Sequence, residues 1–217
     1  MAITELIFPC VKPDPATLEA LERDWPKLSK GLTVPNPGII DAFRGWIVTE
    51  DGLDVRNAYR EILLFEWNSV DSFRAFVGSE QYAAFAGSIK HLLTGPPTLQ
   101  LFETKFSPGE AASASLVEII RVGVSNSENV EETLRVWEKA TRHLNLNGDG
   151  TTFTYGKSLN LEEDVIMAVI GWQNLEEQRD MSENKIWLEI LESFKSLGKV
   201  SRITVEIEAM DLGTDVL

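Results

Sequence analysis

The sequence predicts an α+β chain made of two similar β-α-β-β-α-β units whose sheets cover one another. Three observations carry this. First, Glu61-Ile-Leu-Leu-Phe-Glu-Trp67 and Ile166-Met-Ala-Val-Ile-Gly-Trp172 are apolar runs whose terminal Trp residues lie 105 residues apart. At the same offset Tyr82 falls on Trp187, Phe85 on Ile190, Ile89 on Phe194 and Leu92 on Leu197. Second, the upstream parts match at an offset of 112, with Ile7 on Ile119, Leu18 on Val130 and Trp25 on Trp137. The seven-residue difference is assigned to the longer loop of the first copy, Thr49 to Arg56. Third, Ile62 to Phe65 and Val165 to Ile170 are continuously apolar rather than alternating. In an antiparallel sheet such a run requires cover on both faces. The helices of one unit lie on one side only, so a second sheet is needed, and the second copy supplies it. A period of half the chain points to two fused domains rather than a solenoid.

Each element has a local reason. Ile3 to Phe8 is a strand stopped by Pro9. Asp14 is an N-cap with Pro15 at the first helical position, and Leu18, Leu21, Trp25 and Leu28 form the apolar stripe of that helix. Pro26 lies inside it and is expected to kink or shorten it. Strands follow at Ile39 to Thr49 and Tyr59 to Trp67. Asn68 or Ser69 caps a short helix, and Ser79 starts a longer one to about Leu93, ended by Gly95-Pro96-Pro97. Leu99 to Phe106 is the fourth strand. The small, polar segment 107–115 reads as an exposed, poorly ordered linker between copy one (1–106) and copy two (116–217). Copy two repeats the order: a strand at Leu116 to Val124, a helix capped by Asn126 or Ser127, and a turn at Asn147 to Gly150. Strands at Thr151 to Ser158 and Asp164 to Trp172 come next, then a helix over Glu176 to Leu197 and a last strand over Val200 to Met210. Each unit has the ferredoxin-like order.

Composition narrows the function. The 217 residues are 43% hydrophobic and 25% charged, with a formal net charge of −14. Nucleic acid and anionic membranes would be repelled. The single cysteine, Cys10, allows neither an internal disulfide nor a cysteine metal cluster. No basic-then-apolar leader opens the chain and no apolar run approaches ~20 residues. A cytoplasmic protein is expected, a pseudo-dimer within one chain that a further homodimer could extend. No Gly-rich phosphate loop, H-E-x-x-H or G-x-S-x-G occurs.

Phe65-Glu66-Trp67, followed by Asp71, Phe73, Ser79, Tyr82 and Phe85, follow a pattern: a strand ending in Trp, an acidic residue, then a Ser-x-x-aromatic step into a helix. In this the chain resembles the dimeric α+β barrel superfamily, and within it the antibiotic-biosynthesis-monooxygenase-like group, as two fused copies. The resemblance implies an intramolecular barrel of tandem ferredoxin-like repeats. It also implies chemistry on hydrophobic small molecules, since the group includes cofactor-free oxygenases of polycyclic ketides, haem-degrading enzymes, cyclases and decarboxylases. The haem-ligating His of the group has Phe76 or Val77 in its place here, and Asp180 or Met181 in copy two. The Asn of the cofactor-free oxygenases, four residues before the strand Trp, is replaced by Leu63 and Ala168. Neither oxidative signature is present, and no cofactor or metal is expected.

The expected site lies between the long helix and the sheet of copy one. Ala83, Ala84, Ala86 and Gly87 remove bulk there, where copy two has Ile186, Trp187, Leu188, Ile190 and Leu191. His91 and Tyr82 are the catalytic candidates, His91 because it titrates near neutral pH. Trp46, Trp67, Arg44, Tyr59, Phe85 and Ala84 are the candidates for binding substrate. Gly45 and Gly156, inside strands, mark a bulge or a close approach by a ligand. Arg44, Glu66, Glu118 and Arg121 are charges among apolar neighbours, which can shift a pKa or form a salt bridge across the sheets. His143 and Tyr155 are the fallback site in copy two. The expected function is a cofactor-independent enzyme acting on an aromatic or polyketide-like molecule by cyclisation, isomerisation, dehydration or decarboxylation. The alternatives are cofactor-free oxygenation and a non-catalytic binding or structural barrel.

Overall fold

The computed structural model describes residues 1–124, 126–147 and 152–213, and its elements follow the two-copy plan. Copy one holds β1 (Ala2–Phe8), α1 (Pro15–Thr33), β2 (Ile39–Glu50), a short β3 (Leu53–Asp54), β4 (Glu61–Trp67), α2 (Val70–Val77), α3 (Glu80–Ile89) and β5 (Thr98–Thr104). A one-turn α4 (Gly109–Ala112) connects the copies. Copy two holds β6 (Leu116–Val124), α5 (Ser127–Asn147), β7 (Thr152–Ser158), β8 (Asp164–Trp172), α6 (Leu175–Glu183), α7 (Lys185–Leu197) and β9 (Gly198–Ala209). Helix starts obey capping chemistry: Asp14, Ser69, Ser79 and Asn126 each accept a backbone N–H three residues on.

All strand pairs are antiparallel, in the order β2-β4-β1-β5-β7-β8-β6-β9, and β9 pairs back with β2. The two sheets therefore join at both edges and close into one eight-stranded barrel, with β3 an appendage on β2. Closure removes every free edge of these eight strands. The barrel interior is filled from both copies. Leu6, Phe43, Ile62, Leu64 and Phe102 meet Val117, Ile119, Met167, Val169 and Val205 there, in one apolar cluster. The other face of each sheet is covered by its own helices. This is why every residue of β4 is buried, as its continuous apolar run requires.

The register refines the duplication. Ile3 pairs with Trp67 and Leu116 with Trp172, so the first strands align at 113 rather than 112. Glu5 is then the counterpart of Glu118. In the second strands Gly45 pairs with Ile62 and Gly156 with Met167, an offset of 111. That makes Arg44 the counterpart of Tyr155. Most of the length difference is thus spent between β2 and β4. There Asp51 and Gly52, both at positive φ, turn the β2–β3 hairpin.

Several expectations change. Gly45 and Gly156 mark a close approach, but of strands. A Cβ on Gly156 would lie 1.9 Å from the Glu103 carbonyl oxygen, and one on Gly45 would lie 2.5 Å from that of Glu206. Both glycines sit at the seams where one copy's sheet joins the other's. Pro26 does not shorten α1, which runs on to Thr33; the missing N–H leaves only the Glu22 carbonyl without its helical donor. The helix expected from Glu176 is two helices. Asn184 interrupts it, and its side chain accepts the N–H groups of Ile186 and Trp187. Segment 107–115 is only partly exposed: Ala111 and Ala112 of α4 are buried in the barrel cluster, and Ser107 Oγ donates to Glu66 Oε2. Small side chains let this turn plug the barrel end, where a Cβ on Gly171 would lie 2.5 Å from the Ala111 carbonyl oxygen. Gly148, Asp149 and Gly150 of the expected turn lie outside the described residues.

Candidate functional site

In copy one the helices do not fill the space above the sheet. A cavity of about 500 Å³ lies between them. Its floor is Glu5 and Ile7 of β1, Glu61, Leu63 and Phe65 of β4, and Leu99 of β5. Leu21, Trp25 and Leu32 of α1 and Tyr82, Phe85, Ala86 and Ile89 of α3 form the opposite wall. Pro9, Val11 and residues Leu93 to Pro97 close one side. Val11 and Leu93 bridge like strand residues, and Thr94 N–H donates to the Cys10 carbonyl at 2.7 Å.

Two carboxylates break the apolar floor. Glu5 is 2% exposed, and Trp67 Nε1–H donates to its Oε2 at 2.8 Å. Burial outweighs that bond and raises its pKa to about 7. Glu61 is 3% exposed, and Arg44 Nε–H donates to its Oε1 at 2.5 Å. Burial pushes its pKa up as well, against the pull of the guanidinium. Arg44 forks onto both oxygens of Glu22 on α1, at 2.6 and 3.2 Å, and lies 4.1 Å from the ring centre of Trp25. Glu5 Oε1 and Glu61 Oε2 have no protein partner among the described residues. Burial, then the nearby Glu5 charge, raises the pKa of Tyr82.

The structure sorts the sequence candidates. Tyr82, Phe85 and Ala86 line the cavity. Trp67 lies beneath, holding Glu5, and Arg44 lies beside it, holding Glu61. His91 does not face the cavity. It is exposed, in the turn after α3, beside an outer groove that also includes Ala84 and Asp24. The phase of α3 explains this: Tyr82, Phe85, Ala86 and Ile89 form its inner stripe, so Ala83, Ala84 and Gly87 point outward. Trp46 lies at the β2–β9 seam, opposite Glu206. Tyr59 is exposed at φ 50, ending a single 3₁₀ turn. Glu118 is held by Trp172 and Arg202, and Arg121 by Gln100. His143 bonds Asn184. Among the described residues no three His, Cys, Asp or Glu side chains converge as a metal-binding set, and no helix is long and apolar enough to cross a membrane.

The two carboxylates are absent from the sequence candidates. Strand alternation is the signal that finds them. Glu5 shares a face with Ile3 and Ile7, and Glu61 with Leu63, Phe65 and Trp67, the face each unit turns to its helices.

Copy two has no such cavity among the described residues. Trp137, the counterpart of Trp25, stacks on Tyr155 at 6.1 Å and packs against Phe194 at 4.6 Å. Trp187, Ile190 and Leu191 replace Tyr82, Phe85 and Ala86 and are buried, while Ile186 and Leu188 point outward.

Three solved structures share this fold along the whole chain. One is an anthrone oxidase-like protein, at TM-score 0.66 and 12% identity, covering 99% of this chain and 95% of its own. A protein provisionally named a monooxygenase, from Fusobacterium nucleatum, aligns at TM-score 0.61 and 12% identity, over 96% of this chain and 94% of its own. Another provisionally named monooxygenase, from Lactobacillus acidophilus, aligns at TM-score 0.59 and 8% identity, over 97% and 99%. No protein-family model and no curated protein matches the chain. At these identities the likeness is one of fold alone, an eight-stranded α+β barrel built from two similar units.

Proposed function

We propose that this two-copy barrel is a cofactor-independent enzyme that moves a proton on a hydrophobic, aromatic or polyketide-like small molecule held in the cavity of copy one. One observation carries the reading: a large apolar cavity whose floor presents a buried carboxylate, Glu5, titrating at about 7. A group poised near neutral pH gives or takes a proton most effectively. Isomerisation, cyclisation and dehydration of an enolisable ring compound begin with such a transfer, and decarboxylation ends with one, when the enolate left by loss of CO2 is protonated at carbon. Tyr82 is positioned to hydrogen-bond a ligand oxygen, and Phe85 and Trp25 supply ring contacts.

Cofactor-free oxygenation is the second reading, favoured by the names of the structural neighbours. Its first step is the same: the carbanion left by proton removal reduces dioxygen directly. The test uses 2-tetralone, whose C1 protons exchange with D2O once they are abstracted. The protein is expected to accelerate that exchange, read by NMR, and Glu5→Gln to reduce it by ~100-fold. Oxygen uptake with an anthrone would select the oxygenase reading. Calorimetric binding of 2-tetralone with neither exchange nor uptake would instead make the barrel a binding protein.

A further inference from the structure

We infer that Glu61 is the second proton-handling group of the cavity, and that Arg44, gripped by Glu22 and covered by Trp25, is the positioning residue that holds it there. The inference rests on reading the cavity as a proton-transfer site.

The chain contains its own control. Glu5 has a counterpart, Glu118, which takes the same indole N–H from Trp172 although, among the described residues, Trp137, Trp187 and Phe194 fill the space between helices and sheet in copy two. A buried Glu beneath the strand Trp thus belongs in part to the shared scaffold. The Glu22–Arg44–Glu61 network has no counterpart. By the aligned registers its three positions are Leu134, Tyr155 and Ile166, in the copy whose helices fill the space. Copy two packs its sheet with three uncharged side chains where copy one buries the charges of Arg44 and Glu61 beneath the exposed Glu22. Burying an ion pair is costly, and hydrophobic replacements of similar volume are often neutral or better for stability. The network is therefore not needed to fold this unit, and it occurs only where there is room for a ligand.

Its geometry fits the role. Arg44 occupies one oxygen of Glu61 and leaves Oε2 without a protein partner in the cavity floor. The bidentate grip of Glu22 and the indole of Trp25 fix the guanidinium. In the proposed step the ionised form of Glu61, which the Arg44 guanidinium favours against burial, takes a proton from a ligand carbon. The electrons of that C–H bond form the enol double bond, and the carbonyl π electrons take up the proton that protonated Glu5 gives to the oxygen. In a conjugated dienol, Glu61 then returns its proton to the γ carbon while the enol hydroxyl gives its proton back to Glu5 and the carbonyl reforms, which completes an isomerisation with no oxidant, reductant or other reactant. Carboxyls in differing environments divide acid and base work in this way.

The test again follows exchange at C1 of 2-tetralone. Glu61→Gln is expected to slow exchange ~100-fold while calorimetry shows binding within ~3-fold of the parent. The charged and titratable groups around Glu61 are Arg44 on β2, Glu22 on α1, Glu5 on β1, Tyr82 on α3 and Lys90 after α3. With Arg44 replaced by Met, the acidic limb of the pH–rate profile moves to higher pH, and Arg44→Lys moves it back. A merely structural arginine would lower stability without moving the limb. The triple exchange Glu22→Leu, Arg44→Tyr and Glu61→Ile imports packing that copy two already uses; it is expected to fold and to lack exchange. Full exchange in Glu61→Gln or in the triple variant, with an active parent, overturns the inference alone. An unmoved limb in Arg44→Met overturns the role of Arg44. An inactive parent overturns the proton-transfer reading, and this inference with it.

Discussion

At the scale of single residues, the cavity is governed by what burial does to Glu5. Its folded pKa is about 7 against an ordinary value of 4.5. Between those values the folded protein holds a proton that the unfolded chain has released, so stability falls as pH rises through that window and is level above it. The loss is at most about 3 kcal/mol. Glu5→Gln cannot ionise, and its side-chain oxygen can still accept from Trp67. Urea unfolding at pH 5 and pH 8 is therefore expected to show the parent losing stability relative to the variant; parallel behaviour at both pH values would refute the assignment. The sequence makes Tyr82 and Phe85 legible because they lie one helical turn apart on an apolar stripe. It hides Glu5 and Glu61, since a charge in a short strand also reads as an exposed strand end. Only the closed sheet shows that no strand end is exposed there.

The elements explain both what the sequence shows and what it conceals. The order of elements along the chain, the helix caps and the doubly covered β4 are readable because each follows from local residue patterns. The phase of α3 is less so: its small residues surround the helix, and only contact with α1 and the sheet selects which of them face inward. Two substitutions separate the faces. Ala86→Trp is expected to weaken 2-tetralone binding more than ~10-fold by calorimetry, a loss of about 1.4 kcal/mol. Ala84→Trp, on the outer face, is expected to leave binding unchanged, and equal effects would mean that the phase is wrong. The linker is the clearest failure of composition as a guide. Small polar residues usually mean a mobile connection, yet here small size lets Ala111 and Ala112 enter the barrel end. Limited proteolysis is accordingly expected to spare 107–115, and early cleavage there would contradict a docked α4.

For the whole molecule, closure is the organising fact. Each half alone exposes two strand edges and one apolar face, the features that drive association. Halves 1–106 and 116–217, produced together as separate chains, are expected to copurify as a one-to-one pair; two stable monomers would argue against the shared interior. The glycine at each seam belongs to this scale as well. Its reason is legible only when the partner strand is in place, because the atom a Cβ would strike belongs to the other half of the chain.

The filled copy has a consequence for counting. A symmetric pair of identical subunits must present two equal sites, and any change that plugs one plugs both. Joining the units in one polypeptide lifts that restriction, so Trp137, Trp187 and Phe194 can occupy one chamber while the other stays vacant. Ligand titration should therefore saturate at one molecule per chain, along a single hyperbola without cooperativity.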